Sequence, residues 1–396
     1  MLVMTMMVRD EADVIAATIE HHLAQGVDRI VVTDNGSVDG TREILEAYAG
    51  VAPLTIHDDP EHRKQQGRVV TRMAREAHAL GATWVINADA DEFLRPVDPA
   101  RTLRDVFAAM PVELGEVRVP VVNMVGRIAS SGAGIERLVL RDERDAEQLE
   151  AAGVRSQPTP NAVHVASPDV EVVQGNHSTS IGVHGEVPEG LELEVLHLPW
   201  RSVAQVMRKT ENMGRGYDES PELRPSANHH GMRDWRRLRG GVLLPFLALR
   251  MMTSDEMSQD GLRLDRSLGT SLRGLDARLP ELLAASLEDG EPFDDAEIVR
   301  LRGVAHDLRD VDAVAHADVA RARADAEEQR AELARVVEDR DGIAYDREQH
   351  RVALEAAAVE RDELRRELEE ARTRIEELEN DPVHRAAVRV RGAFGR

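Results

Sequence analysis

The sequence has no cysteine, which excludes disulfides, thiolate zinc sites, iron–sulfur clusters and a cysteine nucleophile together. Lysine is nearly missing too. Lys64 and Lys209 are the only two in a chain of 396 residues whose lysines and arginines number 50, so almost all positive charge is guanidinium. Aromatic residues make up 3%, and 73 acidic residues leave a net charge of −23. A chain this acidic lacks the basic footprint of a nucleic-acid binder, so no nucleic-acid partner is expected. An anionic small molecule is not excluded, because a bound metal or a few local arginines reverse the field within one cleft. Long hydrophobic runs are absent as well. The apolar start meets Arg9-Asp10-Glu11 without a basic leading region, and the later run from Gly241 to Leu249 is about half a bilayer span and contains Pro245. It reads as a buried helix. No export or membrane-spanning segment is expected, and the expected compartment is the cytoplasm.

What is present falls into parts. In the first ninety residues, apolar β-branched runs at Leu2–Val8, Arg29–Thr33, Leu54–Ile56 and Trp84–Asn87 alternate with helical patterns at Glu11–Gln25, Asp39–Ala49 and Gln65–Leu80. Gly26, Gly50 and Gly81 stop the helices. Such alternation predicts an α/β fold with a mostly parallel sheet flanked by helices, and ligands bind beyond the carboxyl ends of such strands. Those ends carry Arg9-Asp10-Glu11, Asp34-Asn35-Gly36-Ser37 and Asp89-Ala90-Asp91-Glu92. A mixed region follows, with a helix near Leu103–Met110, a strand-like run Val117–Val122, short strands between Ala162 and Leu198 and a helix over Ser202–Tyr217. Residues 240–310 are mostly helical with one apolar hairpin-like stretch.

From Val319 a heptad register runs to Leu378. Its a positions include Leu333, Leu354, Leu368 and Ile375, and its d positions include Val336, Leu364 and Leu378; 13 of 18 seam positions are apolar. This predicts a coiled coil that pairs chains into a homo-oligomer, weakest around Arg340–His350 and Gly342. A single charged helix is the alternative. Pro382 ends the pattern before a basic tail with Arg385, Arg389, Arg391 and Arg396, which more simply sits in water than on a membrane. The expected divisions are therefore 1–240, a helical extension at 241–310, a coiled coil at 311–380 and the tail at 381–396.

Chemistry concentrates in Trp84-Val85-Ile86-Asn87-Ala88-Asp89-Ala90-Asp91-Glu92-Phe93-Leu94. A buried strand delivers two carboxylates one residue apart, and in extended backbone residues i and i+2 point the same way. Asp89 and Asp91 could then share a hard cation, Mg²⁺ or Mn²⁺, that stabilises a departing diphosphate. A surface acidic turn is the plainer alternative. Asp34 ends a strand where it can accept hydrogen bonds from a nucleobase or ribose. Asp39 is placed either to cap the next helix or to meet a ligand. Arg9 and Glu11 form either a salt bridge or part of the site.

Together RDE(9–11), DNGSVDGT(34–41) and the segment 84–94 resemble the nucleotide-sugar-binding half of family 2 glycosyltransferases with a GT-A fold, closest to the subgroup with a D-x-D-E-F metal motif. Gly175-Asn176-His177-Ser178 and His197-Leu198-Pro199-Trp200-Arg201-Ser202 are similar to that subgroup's second half, so the resemblance spans about residues 3–215. Asp10 departs from it, standing where the family more often has asparagine. The resemblance implies that Asp34 contacts the nucleoside with Arg9, Glu11 and Asp39 nearby. It implies that Asp89 serves the ribose–diphosphate end, and that Asp89, Asp91 and His197 are metal ligands. It also implies inversion at the sugar carbon, which needs a base; His177 is the candidate, with Asp142 and Glu143 as rivals.

The sequence therefore points to a metal-dependent inverting glycosyltransferase that uses Mn²⁺ or Mg²⁺. It would move a hexosyl-type sugar from a nucleoside diphosphate to a hydroxyl acceptor, plausibly in cell-surface polysaccharide or glycan synthesis. The alternative from another class is an inactive GT-A-like scaffold that organises other enzymes through its coiled coil. A nucleotidyltransferase would instead show a Gly-rich phosphate loop after the first strand.

Overall fold

A computed structural model describes residues 1–380 other than 64, 155, 221, 222, 224 and 226–228, and the backbone alone of 230, 310–320, 323, 338, 339, 341–346 and 378–380. The basic tail at 381–396 lies outside the described residues. The chain divides into two units, Met1–Val311 and Asp312–Arg396.

The first unit opens with β1 (Leu2–Val8), α1 (Ile15–Ala24), β2 (Arg29–Asp34), α2 (Thr41–Ala49), β3 (Leu54–Asp58), α3 (Gln66–Ala79) and β4 (Trp84–Asn87). All four strands are parallel in the order β3-β2-β1-β4. Strand alternation splits their apolar side chains between two layers. Met4, Met6, Ile30 and Ile86 pack with Ile15, Ile19, Leu45 and Tyr48 on one face. Val3, Val31 and Val85 pack with Val69, Met73 and Ala77 of α3 on the other. Burial on both faces explains why these strands read as continuous apolar runs. Val8 stands opposite Asp34, and Asp34 opposite Asp58, so the carboxyl ends lie level.

The chain continues through β5 (Glu92–Pro96), α4 (Leu103–Ala109), β6 (Glu116–Val119), β7 (Val121–Val125), β8 (Leu140–Asp142), α5 (Ala146–Ala151), β9 (Asn161–Val165) and β10 (Leu193–His197). Strands β9 and β6 extend the first sheet antiparallel beyond β4. The run Val117–Val122 is thus not one strand. Proline 120 breaks it, because proline cannot donate to the ladder, and the halves enter different sheets. The second sheet, closed at one edge by β11 (Leu262–Leu264), runs β11-β8-β7-β10-β5. β11 pairs with β8 rather than forming the hairpin expected within 240–310.

The remaining elements are α6 (Val203–Asp218), α7 (His230–Arg239), α8 (Leu243–Ala248), α9 (Ser267–Arg273), α10 (Pro280–Leu287) and α11 (Asp295–Asn380). The apolar run 241–249 is the short helix α8, with Leu243, Phe246 and Leu247 buried. Pro245 falls in its first turn, where no intrahelical N–H bond is needed. Leu268, Leu272 and Leu283 join the main core. The buried Glu20 carboxylate accepts from Tyr48 Oη at 3.1 Å and from the Leu279 amide at 3.0 Å, fastening the chain before α10 to α1. In the first unit α11 buries Ile298 and Leu301 against Leu243 and Leu247.

In the second unit α11 continues through Gly342. The seam side chains Leu333, Val336, Leu354, Leu364, Leu368 and Ile375 are all more than half exposed in the single chain.

Candidate active site

The loops beyond β1 and β2 are braced mainly by their own carboxylates. Asp34 Oδ1 accepts from Ser37 Oγ at 2.6 Å and from the Ser37 amide at 3.1 Å, which folds 34–37 into a tight turn. Asp39 Oδ1 accepts from the Thr41 amide at 3.1 Å, and its Oδ2 from the Ala12 amide at 3.2 Å. The N-cap of α2 is Gly40, without a side-chain cap. Asp39 therefore latches one loop to the other while also holding the first amide of α2. Arg9 Nη1 donates to the Asn35 carbonyl, and its buried Nε has no hydrogen-bond partner among the described residues. Asp10 adopts φ 56°, a left-handed conformation that asparagine and aspartate tolerate best among side chains other than glycine. That preference suits either aspartate or asparagine at position 10.

The segment after β4 departs from the extended path expected for it. Strand β4 ends at Asn87, and the Glu92 amide turns back to the Asp89 carbonyl at 3.2 Å. Thr18 Oγ1 of α1 takes the Ala90 carbonyl, so the backbone bends between the two aspartates. Their carboxylates consequently meet different neighbours. Asp89 Oδ1 accepts from two neutral amides, Gln66 Nε2 at 2.8 Å and Asn176 Nδ2 at 3.2 Å. Asn176 is itself left-handed, at φ 61°. Asp91 Oδ2 instead faces two cations and an imidazole: Lys209 Nζ at 2.6 Å, Arg201 Nη1 at 3.3 Å and His197 Nε2 at 3.6 Å. His197 Nδ1–H donates to Asn123 Oδ1 at 2.9 Å, which orients the ring.

Two of those neighbours were not singled out from the sequence. Arg201 is completely buried. Its guanidinium donates to both oxygens of Asp13, at 2.9 and 3.0 Å, and to Glu11. It therefore ties the loop after β1 to the 89–92 turn. The second neighbour belongs to α6, which starts on a Ser202 cap. This helix sends Arg208 to Asp39, Lys209 to Asp91 and Asn212 Nδ2 to Asp10 Oδ2 at 2.7 Å. The spacing of 208, 209 and 212 puts these three on one side of a helix, so one helix straps three strand ends.

A cavity of about 630 Å³ opens here, lined by Asp89, Glu92, His177, His197, Lys209, Trp200 and Arg250 among others. His177 has its Nδ1 buried and without a hydrogen-bond partner among the described residues. Arg9, Glu11, Asp34, Asp39 and Asp91 do not line it, and neither do the rival bases. Asp142 is locked to Arg144 at 2.8 Å, and Glu143 pairs with Arg263 at 2.9 Å. Glu92 does line the cavity. Its Oε2 accepts from Asn161 Nδ2 at 2.8 Å and from the Asp89 amide at 3.0 Å, holding the turn closed.

The electrostatics of the cluster are one-sided. Burial pushes the carboxyls of Glu11 and Glu92 up to about 7; Arg201 opposes the shift at Glu11, and the Asp89 charge adds to it at Glu92. Burial and then the Asp91 charge raise Asp89 above the usual carboxylate range. Asp91 goes the other way, since Lys209, His197 and Arg201 outweigh its burial and hold it well below that range. Two carboxylates and an imidazole make a donor set suited to a hard divalent cation. In kind, then, Asp89, Asp91 and His197 fit a metal. In arrangement the expected triad is not assembled: among the described residues no three acidic or histidine side chains are grouped to hold an ion. The reason is visible at Asp91, whose Oδ2 is taken by Lys209.

Carboxyl ends of parallel strands, with acidic loops beyond them and a cavity alongside, are the place where α/β domains bind their ligands. The comparison with known families narrows this class. Residues 4–106, about a quarter of the chain, match the family described as Glycosyl transferase family 2. That span holds Arg9, Glu11, Asp34, Asp39, Asp89 and Asp91, but neither His177 nor His197. No protein among the curated ones matches the chain. Among solved structures it is similar to residues 1–349 of S. aureus TarS in complex with UDP-GlcNAc, at 13% identity, covering 72% of this chain and 79% of that one with a TM-score of 0.32. A structure titled only as a mycobacterial protein is similar at 14% identity, covering 57% and 76%, with a TM-score of 0.29. Likeness at that level fixes neither residue correspondences nor substrate. No described helix is long and apolar enough to cross a membrane.

Proposed function

We propose that the protein is an inverting glycosyltransferase that takes a sugar from a nucleoside diphosphate and gives it to a hydroxyl acceptor. The observation that carries this reading is the 89–92 turn, which lies inside the family 2 match and presents Asp89 to the cavity beside His177, His197 and Lys209. Arg9, with its spare Nε–H, and the loop shaped by Asp34 and Asp39 receive the nucleoside, and Asp89 receives the ribose–diphosphate end. A Mn²⁺ or Mg²⁺ ion held by Asp89, Asp91 and His197 would supply positive charge to the departing diphosphate. The acceptor enters along the wall of Trp200 and Arg250. Its hydroxyl oxygen attacks the anomeric carbon opposite the diphosphate, and the bond from that carbon to the phosphate oxygen breaks. The electron pair leaves with the diphosphate, and the hydroxyl proton passes to His177. Two or more chains pair through the seam of α11.

Thermal melts with UDP, GDP and dTDP, each with and without Mn²⁺, test the reading. A metal-dependent rise in Tm with one nucleotide is expected, since a ligand that binds only the fold stabilises it. No shift with any of them favours the scaffold. His177→Ala is expected to lower transfer by about 100-fold or more, the usual worth of a general base, with nucleotide binding unchanged. Near-normal turnover in that variant removes His177 from the role.

A further inference from the structure

Lys209 stands where a positive charge is wanted, and it is bound at one of its three donors. Its Nζ lies 2.6 Å from Asp91 Oδ2, the side chain is 39% exposed, and the residue lines the cavity that Asp89, His177 and His197 also line. Among the described residues Asp91 is its one hydrogen-bond partner. Behind the pair, Arg201 is fully enclosed and committed to Glu11, Asp13 and Asp91, so it cannot turn toward a ligand in the cavity. The ammonium at 209 can. It sits on a flexible four-carbon stem and carries a compact, strongly hydrated charge, unlike a planar guanidinium.

We propose that Lys209 is the internal counter-ion of the cation site: it holds Asp91 while no metal is bound, and it yields that oxygen to become a diphosphate-binding residue when one is. The proposal rests on the glycosyltransferase reading. Its physical basis is competition. An ammonium and a divalent cation on one carboxylate oxygen repel strongly, so Lys209 opposes a cation at Asp91 Oδ2, and Arg201, 3.3 Å from the same oxygen, adds a fixed share to that opposition. Released from Asp91, the ammonium remains on the cavity wall, where the phosphates would lie against Asp89. The same residue thereby covers a buried negative charge in the empty protein and adds positive charge when an anionic donor arrives.

The test uses the full chain and two probes, Mn²⁺ alone and inorganic pyrophosphate, measured by calorimetry. Lys209→Met should bind Mn²⁺ about tenfold or more tightly than wild type, because the nearer and the movable one of the two opposing charges is gone. In saturating Mn²⁺ the same variant should bind pyrophosphate about tenfold more weakly, having lost one charge-assisted contact. Lys209→Arg keeps the charge and serves as the folding control; it should leave Mn²⁺ affinity within a few-fold of wild type. Unchanged or weaker Mn²⁺ binding by Lys209→Met, with a melt showing a folded protein, overturns the proposal, as does unchanged pyrophosphate binding. Failure of Mn²⁺ to bind wild type or Lys209→Met also overturns it. Nucleotide-sugar turnover persisting in excess EDTA would then leave the glycosyltransferase reading standing alone.

Discussion

The loop at 34–41 and the turn at 89–92 look alike in sequence, each an acidic cluster at the end of a buried parallel strand. They are used differently. Asp34 and Asp39 spend much of their hydrogen-bonding capacity on backbone amides and hydroxyls nearby. Among the described residues Asp89 accepts from two amides, which leave it an oxygen to offer, and Asp91 meets a lysine, an arginine and a histidine from distant parts of the chain. The first pair shapes a surface; the second stores charge. An acidic strand end therefore reveals its use through its partners, and the partners of Asp91 lie more than a hundred residues downstream.

The sharpest way to break that contrast is to remove the arginine behind the turn. Arg201→Met strands Glu11, Asp13 and Asp91 without their shared cation, and losing one member of a buried ionic group costs about 3–5 kcal/mol. A large fall in Tm is expected; an unchanged melt would mean that the cluster is not held by Arg201. Asp91→Asn should lower transfer by about 100- to 1000-fold, the scale of losing one electrostatic contribution to the transition state, in a sugar-transfer assay. Asp39→Asn should cost only about 1 kcal/mol, a hydrogen bond's worth, and keep transfer within a few-fold. Equal losses of transfer in those two variants would erase the distinction between loop and turn.

Acid stability sharpens the comparison from α1, the helix that carries Thr18. Burial pushes His21 down to about 4 and His22 to about 3, so both stay neutral in the fold. Above pH 6.5 they are neutral in either state and their contribution is constant. Below it the open chain takes up protons that the fold refuses, so stability falls from pH 6.5 toward pH 4 and 3, by roughly 2 kcal/mol per histidine at pH 5. Glu11 and Glu92, raised to about 7, bind protons sooner in the fold and act in the opposite sense between pH 7 and about 4.5. His22→Gln isolates the histidine contribution: its Tm should drop less than wild type's between pH 7 and pH 5. The smallest expected effect on the site comes from deleting 312–396. Light scattering should show the particle reduced to one chain while the nucleotide-dependent shift in Tm persists; an unchanged mass multiple would refute pairing through the seam.

The four parallel strands and three helices were legible because each is a local pattern, an apolar run or an amphipathic repeat closed by a glycine. Gly26 and Gly81 do take left-handed angles there, with φ 91° and 89°. The break in Val117–Val122 was legible too, had Pro120 been given its weight. What could not be read was geometry imposed from afar. Extended backbone through Asp89-Ala90-Asp91 is the sensible local expectation, and a single hydroxyl on α1, at Thr18, accompanies the bend that defeats it. Arg201 was visible as part of His197–Ser202, but nothing nearby in sequence names Glu11 and Asp13 as its partners. For Lys209 a signal existed. It is one of two lysines in a chain whose other basic side chains, histidine aside, are arginines.

That scarcity makes the protein its own reporter. The side-chain amines number two, Lys64 and Lys209, so an amine-acylating reagent has few targets, and peptide masses would separate them. Asp91 and Glu11 outweigh burial and raise the Lys209 pKa above that of an ordinary lysine, which keeps the amine protonated and slow to acylate. Its labelling rate would then follow the state of Asp91, turning the scarcity of lysine into a chemical gauge of the site.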